Sequence, residues 1–250
     1  MSRVALIRTV VIVGFLAFLE TATRLGWIDS YSLIPPSTMA VAAWDILRAG
    51  TMTDDILLTL RNVAISFVLA VTVGFAIGVV LSRLPRLKRA VNPYLASYYA
   101  VPVFIFYPLM IALFGLNAWP LIAIGFLFAI AAMIVNTVDG FDRIPKVFFK
   151  TSRVTHLSRA DEILRIVLPG AAPYLFNGVK LSLAYSFIGV IAGEFILSGA
   201  GLGYEIAFAY NNFDNRTMYG LMLLLIVFVT TINMSLHVWD QRIARRRGGR

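Results

Sequence analysis

Three charged residues, Arg61, Lys180 and Glu194, stand in or beside long apolar runs of this sequence. At the centre of a membrane helix a charge costs about 2.5–3.5 kcal/mol on insertion scales, so each needs a physical reason. Lys180 and Arg61 stand within a few turns of the predicted membrane faces. They read as anchors that reach the headgroups through their long stems, or else as solute ligands. Glu194 either lines a gate or bonds to a neighbouring helix. Pro102 and Pro108 interrupt another apolar run; they are expected to kink one helix and to free backbone carbonyls toward a cavity. None of these residues forms a catalytic constellation. His156 and His237 have no carboxylate partner in sequence at one membrane depth, and there is no cysteine. No catalytic residue, metal site or bound cofactor is therefore expected in this chain.

The elements that must position these residues follow from composition. Of 250 residues, 59% are hydrophobic and 14% charged, with mean hydropathy +0.81. A soluble domain carries about 25% charged residues. Asn62–Ser82, Val91–Val138 and Thr217–Trp239 contain no Asp, Glu, Lys or Arg. The last reaches roughly 35 Å at ~1.5 Å per residue, enough for a ~30 Å hydrocarbon core. Val91–Val138 is about twice as long as one span needs, and its turn-like Phe114–Pro120 divides it. The sequence thus predicts an all-α integral membrane protein, a single domain over 1–250. Its six transmembrane helices are expected near 4–26, 56–82, 93–114, 119–139, 173–197 and 217–240. Ala70, Gly74 and Gly78, four residues apart, predict a close-packing face. Pro35-Pro36-Ser37 predicts a further, interfacial helix, with Ser37 as N-cap and Gly50 after its end.

The net charge of +9 comes from clusters between apolar segments, not from one basic face, which argues against nucleic acid. Arg3 and Arg8 precede the first helix. Arg83, Arg86, Lys88 and Arg89 follow the second, and Arg143, Lys146, Lys150, Arg153, Arg159 and Arg165 fill the segment 140–172. Arg242, Arg245, Arg246, Arg247 and Arg250 end the chain. Only Arg24, Arg48 and Arg216 fall on the other side, beside Asp29, Asp45, Asp54, Asp55, Glu205 and Asp214. The positive-inside rule then predicts cytoplasmic termini and a multi-pass protein of the bacterial inner membrane. Arg3 and Arg8 before Thr9–Leu19 also fit a secretory signal. However, Leu19-Glu20-Thr21-Ala22-Thr23 is a poor cleavage site, and the segment is read as an uncleaved helix.

The longest stretch outside the membrane, residues 140–172, is shorter than the ~50 residues at which independent domains begin. The sequence contains no Gly-Lys pair and hence no phosphate-binding P-loop. Gly199-x-Gly201-x-Gly203 lacks the strand that a dinucleotide loop requires. Leu197-Ser198-Gly199-Ala200-Gly201 falls on the outer side, away from ATP. Segment 140–172 instead predicts two short helices joined by a turn at 155–157. Pro145 starts the first, which runs to about Val154. Ser158-Arg159-Ala160-Asp161 fits a capping box for the second, Glu162 complements the same helix N-terminus, and Pro169 is expected to end the segment.

This loop resembles that of the inner-membrane permeases of binding-protein-dependent ABC importers, in the subfamily serving nitrate, sulfonates and taurine. Their pattern E-A-A-x-x-x-G-x(9)-I-x-L-P matches here at Ile166, Leu168 and Pro169. The same register puts Lys150-Thr151-Ser152 on E-A-A, followed by Arg153, and puts His156 on the glycine. Further matches run along most of the chain. Leu33-Ile34-Pro35-Pro36-Ser37 is similar to L-P-P-P-S, and Thr59-Leu60-Arg61-Asn62 to T-L-x-R with the arginine one position early. Pro102, Pro108 and Phe114-Gly115 keep the family's spacing. Ala192-Gly193-Glu194 with Gly201-Leu202-Gly203-Tyr204 resembles its v-x-a-E…G-L-G-Y segment.

The resemblance implies a type I importer permease fold, half of a solute pore, and a loop that docks into a groove on a separate ATPase. The loop residues implied are Lys150, Thr151, Ser152, Arg153, His156, Ser158, Asp161, Glu162, Ile166, Leu168 and Pro169. The partners implied are an ABC ATPase dimer holding ATP and Mg, an extracytoplasmic solute-binding protein, and a second permease. Lys150 and His156 depart from the pattern, so that second permease is either a non-identical chain with a more typical loop or another copy of this one. The expected solute is small and polar or anionic. A self-sufficient secondary transporter or channel, the competing class, predicts an inverted repeat or paired intramembrane acids, and the sequence presents neither.

Overall fold

The computed structural model describes residues 3–29, 31–98 and 100–248, with side chains between 6 and 238. Arg250, and the side chains of Arg3, Arg242, Arg245, Arg246 and Arg247, lie outside the described residues. All regular structure among the described residues is helical. Helices α1 (Arg3–Arg24), α2 (Pro36–Ala49), α3 (Thr53–Arg83) and α4 (Pro85–Tyr98) come first. A 3₁₀ turn at Val103–Phe106 leads into α5 (Tyr107–Phe114) and then α6 (Trp119–Asp142). Two short helices, α7 (Lys146–Val154) and α8 (Arg159–Glu162), precede a π turn at Ile163–Val167. The chain ends in α9 (Leu168–Leu197), α10 (Leu202–Asn211) and α11 (Asn215–Gly248). Among the described residues five helices are long and apolar enough to cross a membrane, and six if α4 with α5 counts as one bent span.

The third predicted helix, 93–114, is not continuous. Segments Pro85–Tyr98 and Val103–Phe114 differ in direction by 97°. Most of 83–92, expected as a loop, is helical. Pro102 has φ −73° and ψ 88°, outside the helical region, and precedes the 3₁₀ turn. Pro108 sits in the first turn of α5, where a missing N–H is harmless. The prolines therefore start new segments and do not kink one helix; a run of uniform apolar composition hides such breaks. Pro169 likewise does not end its segment. The Leu168 amide bonds to the Ile163 carbonyl, five residues back. That wide turn makes room for a proline ring that would clash with the carbonyl four residues earlier in a regular α-helix. The helix then runs on through Pro173.

Contacts divide the chain into two compact units, Met1–Leu58 with Glu194–Thr230, and Thr59–Gly193 with Thr231–Arg250. In the first unit Ala43 of α2 packs with Leu202, Ile206 and Ala209 of α10 and with Met218, Leu221 and Leu224 of α11. The N-terminus of α2 is capped from α1. Pro35 is its N-cap and carries no side-chain cap. Glu20 accepts both the Ser37 amide, at 3.0 Å, and the Ser37 hydroxyl, at 2.7 Å. Ser37 is thus held by an outside carboxylate and is not the cap expected of it. Gly50 follows the helix end as predicted.

In the second unit α6 is the most buried span. A Cβ on Gly74 would approach Met133 Cβ to 2.9 Å, and one on Gly78 would approach Thr137 Cβ to 2.5 Å, so α3 and α6 meet backbone to backbone. On the other side of α6, a Cβ on Gly189 of α9 would lie 2.7 Å from Gly125 Cα. Buried hydroxyls bridge the same helices: Ser66 donates to Ile122 O at 3.0 Å and Ser182 to Ala129 O at 3.1 Å.

Candidate functional site

Segment 145–169 forms a hairpin whose geometry follows from short-range rules. Pro145, extended at φ −59° and ψ 129°, precedes α7. The helix closes in a Schellman motif, with the Leu157 amide on Ser152 O at 3.0 Å and the His156 amide on Arg153 O at 3.3 Å. His156 takes the left-handed conformation itself, at φ +53°. The position where the resemblance sets a glycine is therefore the one whose backbone favours glycine. After the turn, Ser158 caps α8 by accepting the Asp161 amide at 3.1 Å. The Asp161 carboxylate returns to the Ser158 hydroxyl at 2.7 Å, not to the cap's amide as a standard capping box would have it. Its other oxygen meets Arg165 at 3.0 Å.

One contact joins the two arms. Ser152, 1% exposed, donates its hydroxyl to Glu162 at 2.5 Å. Sequence reasoning gave Glu162 a dipole role and a place in the docking loop but not this contact; a serine and a carboxylate ten residues apart carry no signal until the turn between them is known. The clamp turns Lys146, Val147, Phe148, Lys150, Thr151, Arg153, Val154 and His156 outward. Ile166 and Leu168 are half-buried and Pro169 is exposed. At the hairpin's base Asp142 pairs with Lys88, and Arg143 lies 5.4 Å from the centre of the Tyr174 ring. The hairpin is thus a basic and partly apolar projection tied to the ends of α4, α6 and α9.

Glu194 is fully buried at the end of α9. Its carboxylate accepts the Gly203 amide at 3.1 Å, in the first turn of α10. Asp55, from the first turn of α3, accepts the Gly201 amide at 2.7 Å. Two acids therefore each accept one backbone donor at one helix start, where the dipole favours negative charge. Gly201 has φ +101°, and a Cβ there would lie 2.5 Å from the Glu194 carboxyl carbon. The spacing Glu194…Gly201-Leu202-Gly203 is the spacing of this cap. Glu205 lies beside it; burial, and secondarily the nearby Asp55 charge, push its carboxyl up. Asp214, which accepts the Thr217 amide at 3.1 Å before α11, is held below the usual carboxylate range chiefly by its hydrogen bonds to Thr217.

Residues 70–249 match the family of binding-protein-dependent transport system inner membrane components. The chain belongs to that family. Among relatives of this permease, the nitrate import permease protein NrtB of Leptolyngbya laminosa is 29% identical over 220 residues, 84% of this chain and 77% of that protein. The bicarbonate transport system permease protein CmpB of Synechococcus elongatus is 25% identical over 188 residues, 74% of this chain and 66% of that protein. The MetNI methionine ABC transporter, solved in an inward-facing conformation, shares the fold with a TM-score of 0.64. The likeness covers 78% of this chain and 95% of that one at 19% identity. The permease is thus a non-enzymatic, multi-pass subunit of the inner membrane, and ATP hydrolysis lies in partner subunits.

The remaining candidates of the permease are dispersed. Arg61 lies on the exposed face of α3, and Lys180 is half-buried on α9. Pro102 and Pro108 are exposed at the starts of their segments. The cavity beneath the hairpin, bounded by α3, α6, α7, α8 and the π turn, is lined by none of them.

Proposed function

We propose that this permease forms half of a solute path and transmits the ATPase cycle through the hairpin 145–169, with both termini on the cytoplasmic side. The observation that carries the reading is the Ser152–Glu162 clamp. A lever must keep its shape under load, and this hydrogen bond between arms holds the basic, partly apolar face of α7 outward. Lys146, Lys150 and Arg153 on that face suit a groove with acidic side chains. ATP and Mg bind in the ABC ATPase dimer, this chain holds no cofactor, and an extracytoplasmic binding protein delivers the solute to the outer mouth.

The second permease is another copy of this chain. Supporting this, His156 adopts the left-handed turn without help from glycine, so the departure at that position leaves the hairpin intact. The solute is a small polar or anionic molecule; relatives named for nitrate and bicarbonate support a small anion. Reconstitution in liposomes tests the reading. Uptake should need the ATPase, ATP and the binding protein together, and the purified complex should contain one kind of permease. Uptake by this chain alone, or a complex that is active only with a different permease, would overturn the corresponding part.

A further inference from the structure

We infer that the cavity beneath the hairpin holds an anionic phospholipid of the cytoplasmic leaflet, its phosphate between Arg83 and Arg159 and its proximal acyl segment against Phe75 and Val79. The cavity measures about 630 Å³, and Phe141, Ile163 and Val167 complete its apolar wall. Two carboxylates also line it, but both are engaged: Asp142 with Lys88 and Glu162 with Ser152. Arg83 and Arg159 are exposed, and their side chains make no hydrogen bond or ion pair with any other described residue. The cavity lining therefore combines two unpaired cations with an apolar wall.

Distance along α3 fits an amphiphile. Phe75 and Arg83 are separated by about 12 Å of helix rise, the step from the upper acyl chain to the headgroup. Ala76, Ile77 and Val80, beside the cavity on the same helix, are exposed and apolar, as a surface covered by lipid requires. An adjoining cavity of about 450 Å³ adds Lys146 and Lys150, and basic pockets at the cytoplasmic ends of membrane helices attract anionic headgroups. A free inorganic anion has no use for the apolar wall, and a zwitterionic lipid has little use for two unpaired arginines.

The inference rests on the orientation proposed above, which reporter labelling of the tail tests separately; lipid retention is read without reference to it. The complete importer complex, kept in mild detergent, is titrated with dioleoyl phosphatidylglycerol or dioleoyl phosphatidylcholine and weighed by native mass spectrometry. Phosphatidylglycerol should be retained at least tenfold more than phosphatidylcholine. Arg83→Gln with Arg159→Gln should remove that excess, and Val79→Trp, which fills the wall, should reduce it with both arginines intact. Arg86→Gln, an exposed basic residue outside the cavity, should leave it unchanged. Equal retention of both lipids, equal loss in Arg86→Gln, no loss in the double variant, or displacement by millimolar inorganic phosphate would each overturn the inference.

Discussion

The buried Glu194 carboxylate accepts the Gly203 amide across 3.1 Å, tying the end of α9 to the start of α10. In this structure Glu194 bonds to the start of a neighbouring helix. That bond also explains Gly201, whose φ of +101° places the turn directly against that carboxylate.

Gly201→Ala should be severe. A left-handed backbone costs a side chain about 1–3 kcal/mol, and the added Cβ would meet the Glu194 carboxyl carbon at 2.5 Å. In a chain of this size each kcal/mol shifts the midpoint by about 2–4 °C. Thermal unfolding in detergent should show a loss of several degrees, while Gly199→Ala, whose Cβ meets nothing within 4 Å, should be silent. Equal effects at the two positions would contradict the cap.

Ser152→Ala and Glu162→Ala each break the clamp between the hairpin arms. A hydrogen bond to a charged group contributes about 1.5–3 kcal/mol, so either change should loosen the loop. Faster limited proteolysis between 145 and 169 and weaker coupling of ATP hydrolysis to uptake are expected. The double variant should be little worse than either single one, because both remove the same bond; additive losses would show that the two residues act independently.

His156→Gly should rigidify the turn and His156→Val should damage it. The left-handed conformation costs an L-residue about 1–2 kcal/mol, glycine is exempt, and a β-branched side chain is least suited to it. Amide exchange at Leu157, whose N–H closes the Schellman motif, should slow in the first variant and quicken in the second. The same rate in all three proteins would remove His156 from the turn's energetics.

Two acids, Asp214 and Glu205, should give opposite pH dependences. The Asp214 carboxyl is lowered in the folded chain. Its stabilisation is complete above the unfolded value of about 3.9 and is lost as pH falls through the folded one. The Glu205 carboxyl is raised, so the folded state binds its proton more tightly and gains stability as pH falls through that raised value. Asp214→Asn should lower the melting temperature at pH 7 and flatten its fall in acid, whereas Glu205→Gln should raise it at pH 7. Melting curves across pH 3–8 check both signs.

What the sequence made legible was whatever depends on neighbours in the chain. Charge-free runs located α3, α6 and α11, Pro145 and Ser158 located the hairpin arms, and the turn at 155–157 fell where expected. The break between α4 and the 3₁₀ turn at Val103–Phe106 stayed hidden because apolar composition continues through it and the prolines fit either a kink or a restart. The pairs Ser152–Glu162 and Glu194–Gly203 stayed hidden because each crosses a turn whose geometry had first to be known. Arg61 and Lys180, chosen by charge alone, lie apart, Arg61 on the exposed face of α3 and Lys180 half-buried on α9.

The absence of cysteine from the chain makes the central claim directly measurable. A single cysteine at Val154, 78% exposed on the outward face of α7, should cross-link to the ATPase subunit in assembled complex. It should be reached by membrane-impermeant maleimide only in inside-out vesicles. A cysteine at Trp27, 71% exposed at the far end of α1, should show the reverse accessibility and no cross-link. Labelling of Val154→Cys from outside intact cells, or an ATPase that assembles without cross-linking to it, would contradict coupling through this hairpin.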